Sequence, residues 1–356
     1  MGGFFVGSVS GITRLQIEGY SSDQVDPKLE SFDEQIKKGA FRSIFPENAE
    51  KNIGFVSIYD CLDADLSPEK TLLGDYRAFS LRIDRRAIPA SSLRIRILEE
   101  TKKHLQETGQ KRLYREQREA IKEAVSLELL KNIPPVTALY DVAINMVSGT
   151  VYVSFLTTKI IQEFMDIFKE AFGLSLQFRD AVGREDLEKS GLSLLTVGRE
   201  FMTWLWFKSQ QKDGWICLNR EDYAVNFTRR IALESGEGES TETVVCSGRN
   251  FDLNEAKEAL RQGKKIKEAR IKIEKDAAAW EFGYKGDSFQ FQSVKLPMSA
   301  EVEENETPDG RNLDRLFMVA AITETMDELF KMYLRLRVSS DWAAEFSAML
   351  AWAEET

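Results

Sequence analysis

The sequence predicts an α+β fold in which antiparallel sheets carry packed helices and a helical arm projects from the body. Three observations predict it. Two period-two runs, Ala138, Tyr140, Val142, Ile144 and then Val151, Val153, Phe155, meet across Ser148-Gly149, a turn too tight for anything but an antiparallel hairpin. The order strand, strand, helix, strand continues to residue 178 without the alternating crossovers of a parallel sheet. Between residues 90 and 131 the period switches to helical spacing and the charge density rises.

Taken in order, Thr13, Leu15 and Ile17 alternate with polar neighbours and open the chain as a strand. Residues 20–52 read as a helix flanked by loops, with Pro27 at its start and Pro46 after its end. Residues 54–58 and 78–83 are further strands. Two arm helices meet around Thr108-Gly109. The first carries Leu93, Ile97, Thr101 and Leu105, and the second Leu113, Gln117, Ala120, Ile121, Ala124 and Leu127, on one face. Pro134-Pro135 stops the second, since proline has no N–H to donate and clashes with the preceding turn. After the hairpin, Ile160, Ile161, Phe164, Ile167, Phe168 and Phe172 mark a helix, and residues 174–178 a strand.

A helix over 192–207 contains Trp204-Leu205-Trp206-Phe207, which reads as core packing. Short strands follow over 215–218 and 222–246. A helix over 253–262 is capped by Asp252 and closed by Gly263 in the left-handed conformation. Ala269, Ile271, Ile273 and Trp280, Phe282, Tyr284 alternate as strands, and Lys285-Gly286-Asp287 turns towards Phe289 and Phe291. Residues 301–312 read as an acidic loop, and helices over 313–335 and 340–353 end the chain, with Trp342 and Trp352 in their packing or in a dimer contact. The organisation expected is a body over 1–90, the arm over 91–133, more body over 134–208, a second α+β region over 209–300, and an acidic loop with helices over 301–356.

Composition bounds the function. With 356 residues, 43% hydrophobic, the chain can bury about three quarters of its unfolded surface, which excludes global disorder. The net charge of -10 excludes a uniformly basic protein, so a polyanion has to be met by a local patch. No apolar run approaches the ~20 residues of a membrane helix, and Met1-Gly2-Gly3-Phe4-Phe5-Val6 lacks a signal-peptide pattern, so a cytoplasmic location is expected. Cys61, Cys217 and Cys246 are too few and too scattered for a disulfide framework or a Cys-x-x-Cys metal site. A single histidine, His104, read as a surface or partly packed residue, leaves little room for imidazole chemistry. No glycine-rich phosphate loop of the G-x-x-x-x-G-K-[ST] type is present. Asp60, Asp63 and Asp65 lie close together but in an expected loop, and no strand-borne carboxylate pair for Mg²⁺ stands out. No cofactor, metal or small-molecule substrate is expected.

The cations are unevenly placed. From Arg82 to Lys122, 12 basic residues face 6 acidic ones, so this stretch carries +6. From Arg249 to Lys275, 9 face 5, giving +4. Lys111, Arg115, Arg118 and Lys122 recur at helical spacing and would share one face of the second arm helix over about 16 Å at 1.5 Å per residue. Such a row can follow the phosphates of a duplex. It can equally be a solvated helix with salt bridges such as Arg112 with Glu116 and Arg115 with Glu119.

The strand at Gly54-Phe55-Val56, the Arg82-Ile83 strand running to Ile88-Pro89, and the charged arm ending in Lys122-Glu123-Ala124-Val125 resemble the RdgC family of recombination-associated proteins. So do Asp252-Leu253 with its short helix, Gly263-Lys264-Lys265 and the strand up to Trp280, which extends the resemblance over roughly residues 1–295. The resemblance implies a ring-shaped α+β homodimer with duplex DNA in a basic hole, bound without sequence preference, which limits access of the strand-exchange recombinase. By position, Lys111 falls where the family has a basic arm residue near DNA, and Arg249-Asn250 where it has a Lys-Gln pair on the inner surface. Pro134-Pro135 replaces the family's aromatic finger, and residues 307–356 depart from its better-known members.

The residues expected to contact duplex DNA are Lys111, Arg112, Arg115, Arg118 and Lys122 on the arm, Arg249, Asn250, Lys264, Lys265 and Lys267 in the later segment, and Arg85-Arg86 before Pro89. The expected function is a non-enzymatic, nucleoid-associated clamp whose partners are double-stranded DNA and a second copy of the chain. The alternatives are a metal-dependent exonuclease, in line with a label the family carries, and a protein-partner module that binds no DNA.

Overall fold

Strand β1 (Val9–Ile17) changes partners half-way along its length, and the sheet is built around that change. Val9, Gly11 and Ile12 face Val294, Gln292 and Phe291 of β13 (Gln290–Lys295), whereas Thr13 to Gln16 face Val153 to Thr150 of β6 (Thr150–Val153). The computed structural model describes residues 3–20, 31–42, 50–181, 193–235, 241–248, 253–297 and 307–354. Within them thirteen strands form one sheet. From β1 towards one edge run β6, β5 (Val136–Asn145), β4 (Tyr76–Arg85) and β2 (Lys51–Val56). Towards the other run β13, β12 (Ala278–Lys285), β11 (Lys265–Lys275), β9 (Glu221–Ser235) and β10 (Glu242–Ser247). The short strands β3 (Leu72–Leu73), β7 (Leu176–Phe178) and β8 (Trp215–Leu218) pair with β4, β1 and β9. All strand pairings are antiparallel, as the hairpin pattern predicts.

Nine helices accompany the sheet among the described residues: α1 (Phe32–Gln35), α2 (Pro68–Thr71), α3 (Ala90–Thr108), α4 (Arg115–Asn132), α5 (Thr158–Phe172), α6 (Leu194–Ser209), α7 (Leu253–Arg261), α8 (Pro308–Arg337) and α9 (Trp342–Glu354). None is long and apolar enough to cross a membrane. Helix α5 lays Ile161, Phe164, Phe168 and Phe172 against Leu15, Phe55, Phe79 and Val142 on one face of the β6–β2 half. Helix α8 closes the opposite face, where Tyr76, Ala78, Ala143 and Tyr152 share a cluster with Leu316, Val319 and Met326. The same cluster continues under α6 and α9 to Phe282, Tyr284 and Phe291. Trp204 and Trp206 are buried there as expected, and Trp206 meets the edge of Trp352 at 4.9 Å.

Because both faces of β1 are covered, its polar alternation does not mark a solvent face. Arg14 is buried under α8, where its Nη1 and Nη2 donate to Asp327 Oδ2 and Oδ1 at 2.5 and 2.7 Å. Burial pulls the guanidinium pKa down and the Asp327 carboxylate raises it further, so the group stays charged. Tyr152 and Tyr284 flank it, and burial pushes the Tyr152 hydroxyl up to about 12 and Tyr284 higher still.

Three expectations change at element level. The helix read over 20–52 is, among the described residues, α1 and a single 3₁₀ turn at Ile36–Gly39, while Pro27 and Pro46 lie outside them. The described part of the 301–312 loop is already helix. Pro308 takes the first helical position, where its missing N–H costs nothing, and Thr307 Oγ1 accepts from Gly310 N at 3.2 Å. The short strands expected over 222–246 are one 15-residue strand, β9, and β10. Asp252 lies outside the described residues, while Gly263 does adopt the left-handed conformation at φ 82°.

Asp327→Asn leaves the Arg14 charge buried without its counter-ion. It is expected to lower the unfolding free energy by about 3–5 kcal/mol, read from the shift of the urea midpoint; Arg14→Met with Asp327→Leu is expected to recover most of that loss.

Candidate nucleic-acid interface

Helices α3 and α4 form an antiparallel hairpin whose sequence fixes its bend. Gly109 ends α3 at φ 66°, a left-handed conformation that costs glycine least. Leu113 is buried, Tyr114 is extended, and the Tyr114 N–H donates to Gln117 Oε1 at 2.9 Å. That cap makes Arg115 the first residue of α4. The helices pack on each other, and Arg96 spans them to Glu128 at 2.8 Å. Half-buried His104 lies 3.4 Å from Gln117. No residue of α3 is buried, and α4 buries Val125 and Leu130. Ala120, Ala124 and Leu127, expected on the packed face, are exposed, so the inward stripe runs through Leu113, Gln117, Ile121 and Val125 instead.

The predicted arm cations therefore divide. Lys111 and Arg112 lie in the connection before α4, not on its face, because Leu113 anchors the turn and Tyr114 caps the helix. Arg115, Arg118 and Lys122 remain on α4, spread over about 10 Å at 1.5 Å per residue. All five are exposed, Arg115 to 89%. Arg115 meets Glu119 at 3.1 Å, an exposed pair of small net value, and Arg118 Nη2 donates to Leu113 O at 3.4 Å. Lys111, Arg112 and Lys122 form no ion pair with a described residue.

The other predicted positions are held differently. Lys264 is 7% exposed and reaches Glu242 at 3.1 Å. Lys265 is 4.0 Å from Glu200, which also accepts from Tyr333 and Arg337 at 2.9 and 3.0 Å. Lys267 donates to Glu234 at 2.9 Å, and buried Arg199 reaches the same carboxylate at 2.5 Å. The Lys267 hydrogen bond, against the cost of burial, holds the Glu234 carboxyl below its ordinary range. Arg85 meets Glu163 at 3.0 Å, which also pairs with Lys51 at 2.9 Å. Arg86 is half-buried and its backbone N–H donates to Glu50 O at 2.8 Å. Arg249 and Asn250 lie outside the described residues. The structure thus sets the hairpin cations apart from lysines that serve as counter-charges in the body.

Asp63 and Asp65 converge on Lys70 at 2.7 and 3.0 Å rather than on an open ligand site. Among the described residues no group of three or more His, Cys, Asp or Glu side chains is arranged to hold a metal ion. A mixed-charge cleft of about 400 Å³ beside β2 and α5 is lined by Lys38, Arg42, Lys51, Glu163, Asp166 and Glu170. Sequence reasoning passed over Arg229 and Arg230. The adjacent pair interrupts the apolar alternation of β9, and that was its one visible signal.

Residues 16–188 match a family model described as "Putative exonuclease, RdgC". Over this stretch the chain is similar to the RdgC family. The RdgC segment takes in only the last two residues of β1, Gln16 and Ile17, together with the β6–β2 half of the sheet, α5 and the whole hairpin. The resemblance drawn as far as residue 295 is thus matched to residue 188, and the half-sheet from β8 to β13 lies outside the match. A search of curated proteins finds no match to the chain.

Since its folded pKa is depressed, Glu234 contributes stability that is fully present above its unfolded pKa of about 4.3 and lost as pH falls through the lower folded value. Urea midpoints taken between pH 3 and 6 are expected to fall less steeply with acid in Glu234→Gln than in the unmodified chain.

Proposed function

We propose that the chain is a non-enzymatic, sequence-independent binder of double-stranded DNA that acts as a homodimeric ring or clamp and limits recombinase access to the bound duplex. The observation that carries this reading is the hairpin: Lys111, Arg112, Arg115, Arg118 and Lys122 are exposed together, while many body cations are engaged by carboxylates. Phosphates are contacted by such side chains without any base-reading set. The acidic remainder, in a chain of net charge -10, repels DNA elsewhere and focuses it on the basic elements. The match to the RdgC family model over residues 16–188 supports a role on DNA. The hairpin serves as the projecting arm in this reading. Its exposed Ile95, Leu98 and Leu127 offer apolar contacts to a second copy, since Pro134-Pro135 stands in place of an aromatic finger. The complex resides with the nucleoid.

The test is fluorescence anisotropy of a labelled 30-base-pair duplex across a salt series, with Mg²⁺ added in parallel and the DNA run on a gel. Binding is expected with a steep negative salt slope, and Arg115→Ala, Arg118→Ala and Lys122→Ala together are expected to flatten it by about 2–3, at roughly 0.9 per phosphate contact. No binding at low salt overturns the reading in favour of a protein partner, and shortened DNA overturns it in favour of the exonuclease.

A further inference from the structure

The β9–β13 half of the sheet has one face under α6, α8 and α9 and one face open to solvent. On β11 the alternation is strict: Ala269, Ile271 and Ile273 are buried, and Glu268, Arg270, Lys272 and Glu274 stand on the open side. Register places Lys285 opposite Glu268 and Glu281 opposite Lys272, and Glu281 also pairs with Lys295 of β13. The open side therefore gathers cations from four adjacent strands.

They converge on Glu281. Its Oε1 takes Arg270 Nε at 3.0 Å and Arg229 Nε at 4.0 Å, and its Oε2 takes Lys295 Nζ at 2.8 Å. Three cations thus share one carboxylate. Arg270 is fixed further by Ser293 O at 2.9 Å and is little exposed, whereas Arg229 and Lys295 are 70% and 57% exposed. Arg229 is there because β9 bulges. The register to β11 shifts between Ala269 and Ile271, and Arg229 takes φ 58°, unfavourable for a residue with a Cβ. A bulge of this kind re-aims a side chain, and it puts both Arg229 and Arg230 outward, Arg230 being 53% exposed and 3.9 Å from Glu268. Gln292 and Asn226 supply amides on the same side, with Gln292 lying over buried Gly283. Exposed arginine, lysine and amide side chains on a flat face match the phosphate-contacting set of DNA-binding surfaces.

We propose that this face, centred on Arg229, Arg230, Arg270, Lys272, Lys285 and Lys295, is a second surface that binds the phosphate backbone of the duplex. The proposal rests on the DNA-binding reading above and adds a site outside the RdgC segment. Glu281 holds Arg229, Arg270 and Lys295, while Lys272 pairs with Glu274 at 2.7 Å and Arg230 lies 3.9 Å from Glu268, so these cations are positioned before DNA arrives and lose little freedom on binding.

Lysine acetylation of the full chain, read by mass spectrometry with and without a saturating 30-base-pair duplex, separates the two surfaces. Protection of Lys272, Lys285 and Lys295 together with Lys111 and Lys122 is the expected result, at least threefold at each site. A single-stranded oligonucleotide of equal length is expected to protect the sheet lysines less. Trp215, half exposed on β8 at the far end of this face, makes that comparison necessary, since an exposed ring can stack on unpaired bases. Protection at Lys111 and Lys122 alone overturns the second surface and leaves the hairpin reading standing. Protection by the single strand only overturns the duplex assignment. No protection anywhere overturns both. Arg229→Ala with Arg230→Ala, which spares Arg270–Glu281, is expected to flatten the duplex salt slope by about 2; an unchanged slope in this folded variant, checked by circular dichroism, also overturns the proposal.

Discussion

The Arg14–Asp327 pair sits where β1 passes from one half-sheet to the other, and both halves depend on it. β1 is the strand through which the β6–β2 half and the β13–β10 half are continuous. Helix α8 reaches both, touching Tyr76 through Phe317 at one end and Phe289 through Phe330 further along. A guanidinium taken out of water at this junction is tolerable because a carboxylate of α8 meets it with two hydrogen bonds. Through this pair α8 is tied to β1 at the junction, in addition to the apolar contacts it makes with both halves.

Charge is organised on the same logic elsewhere. Buried or half-buried cations are met by carboxylates: Arg199 and Lys267 by Glu234, Arg337 and Lys265 by Glu200, Lys51 and Arg85 by Glu163. Half-buried Arg315 and Arg179 are met instead by carbonyl, amide and hydroxyl oxygens. On the α3–α4 hairpin cations outnumber nearby acids, and around Glu281 one carboxylate serves three. In a chain of net charge -10 these are the places where a polyanion gains most.

Much of the fold was legible in the sequence because period and punctuation agreed. Ser148-Gly149, Gly109, Pro134-Pro135 and Gly263 each end an element where they were expected to. Two physical effects lay beyond that reading. Alternation reports which side chains differ, not whether the polar side meets water, so Arg14 and Lys264 looked solvated although tertiary partners bury them. Helical spacing placed Lys111 on α4, but the start of a helix is set by capping and by the burial of Leu113, which spacing does not encode. The Glu281 cluster was hidden for a third reason. Its members come from β9, β11, β12 and β13, up to 66 residues apart, and only register brings them together.

The most direct test of the central claim, an encircling dimer on duplex DNA, compares covalently closed circles with linear duplex of the same sequence. Complexes formed at low salt are challenged with high salt and the DNA-bound fraction is measured over time. Encirclement predicts retention on the circle and rapid loss from free ends, with release from the circle once it is cut. Equal loss from both forms would contradict it.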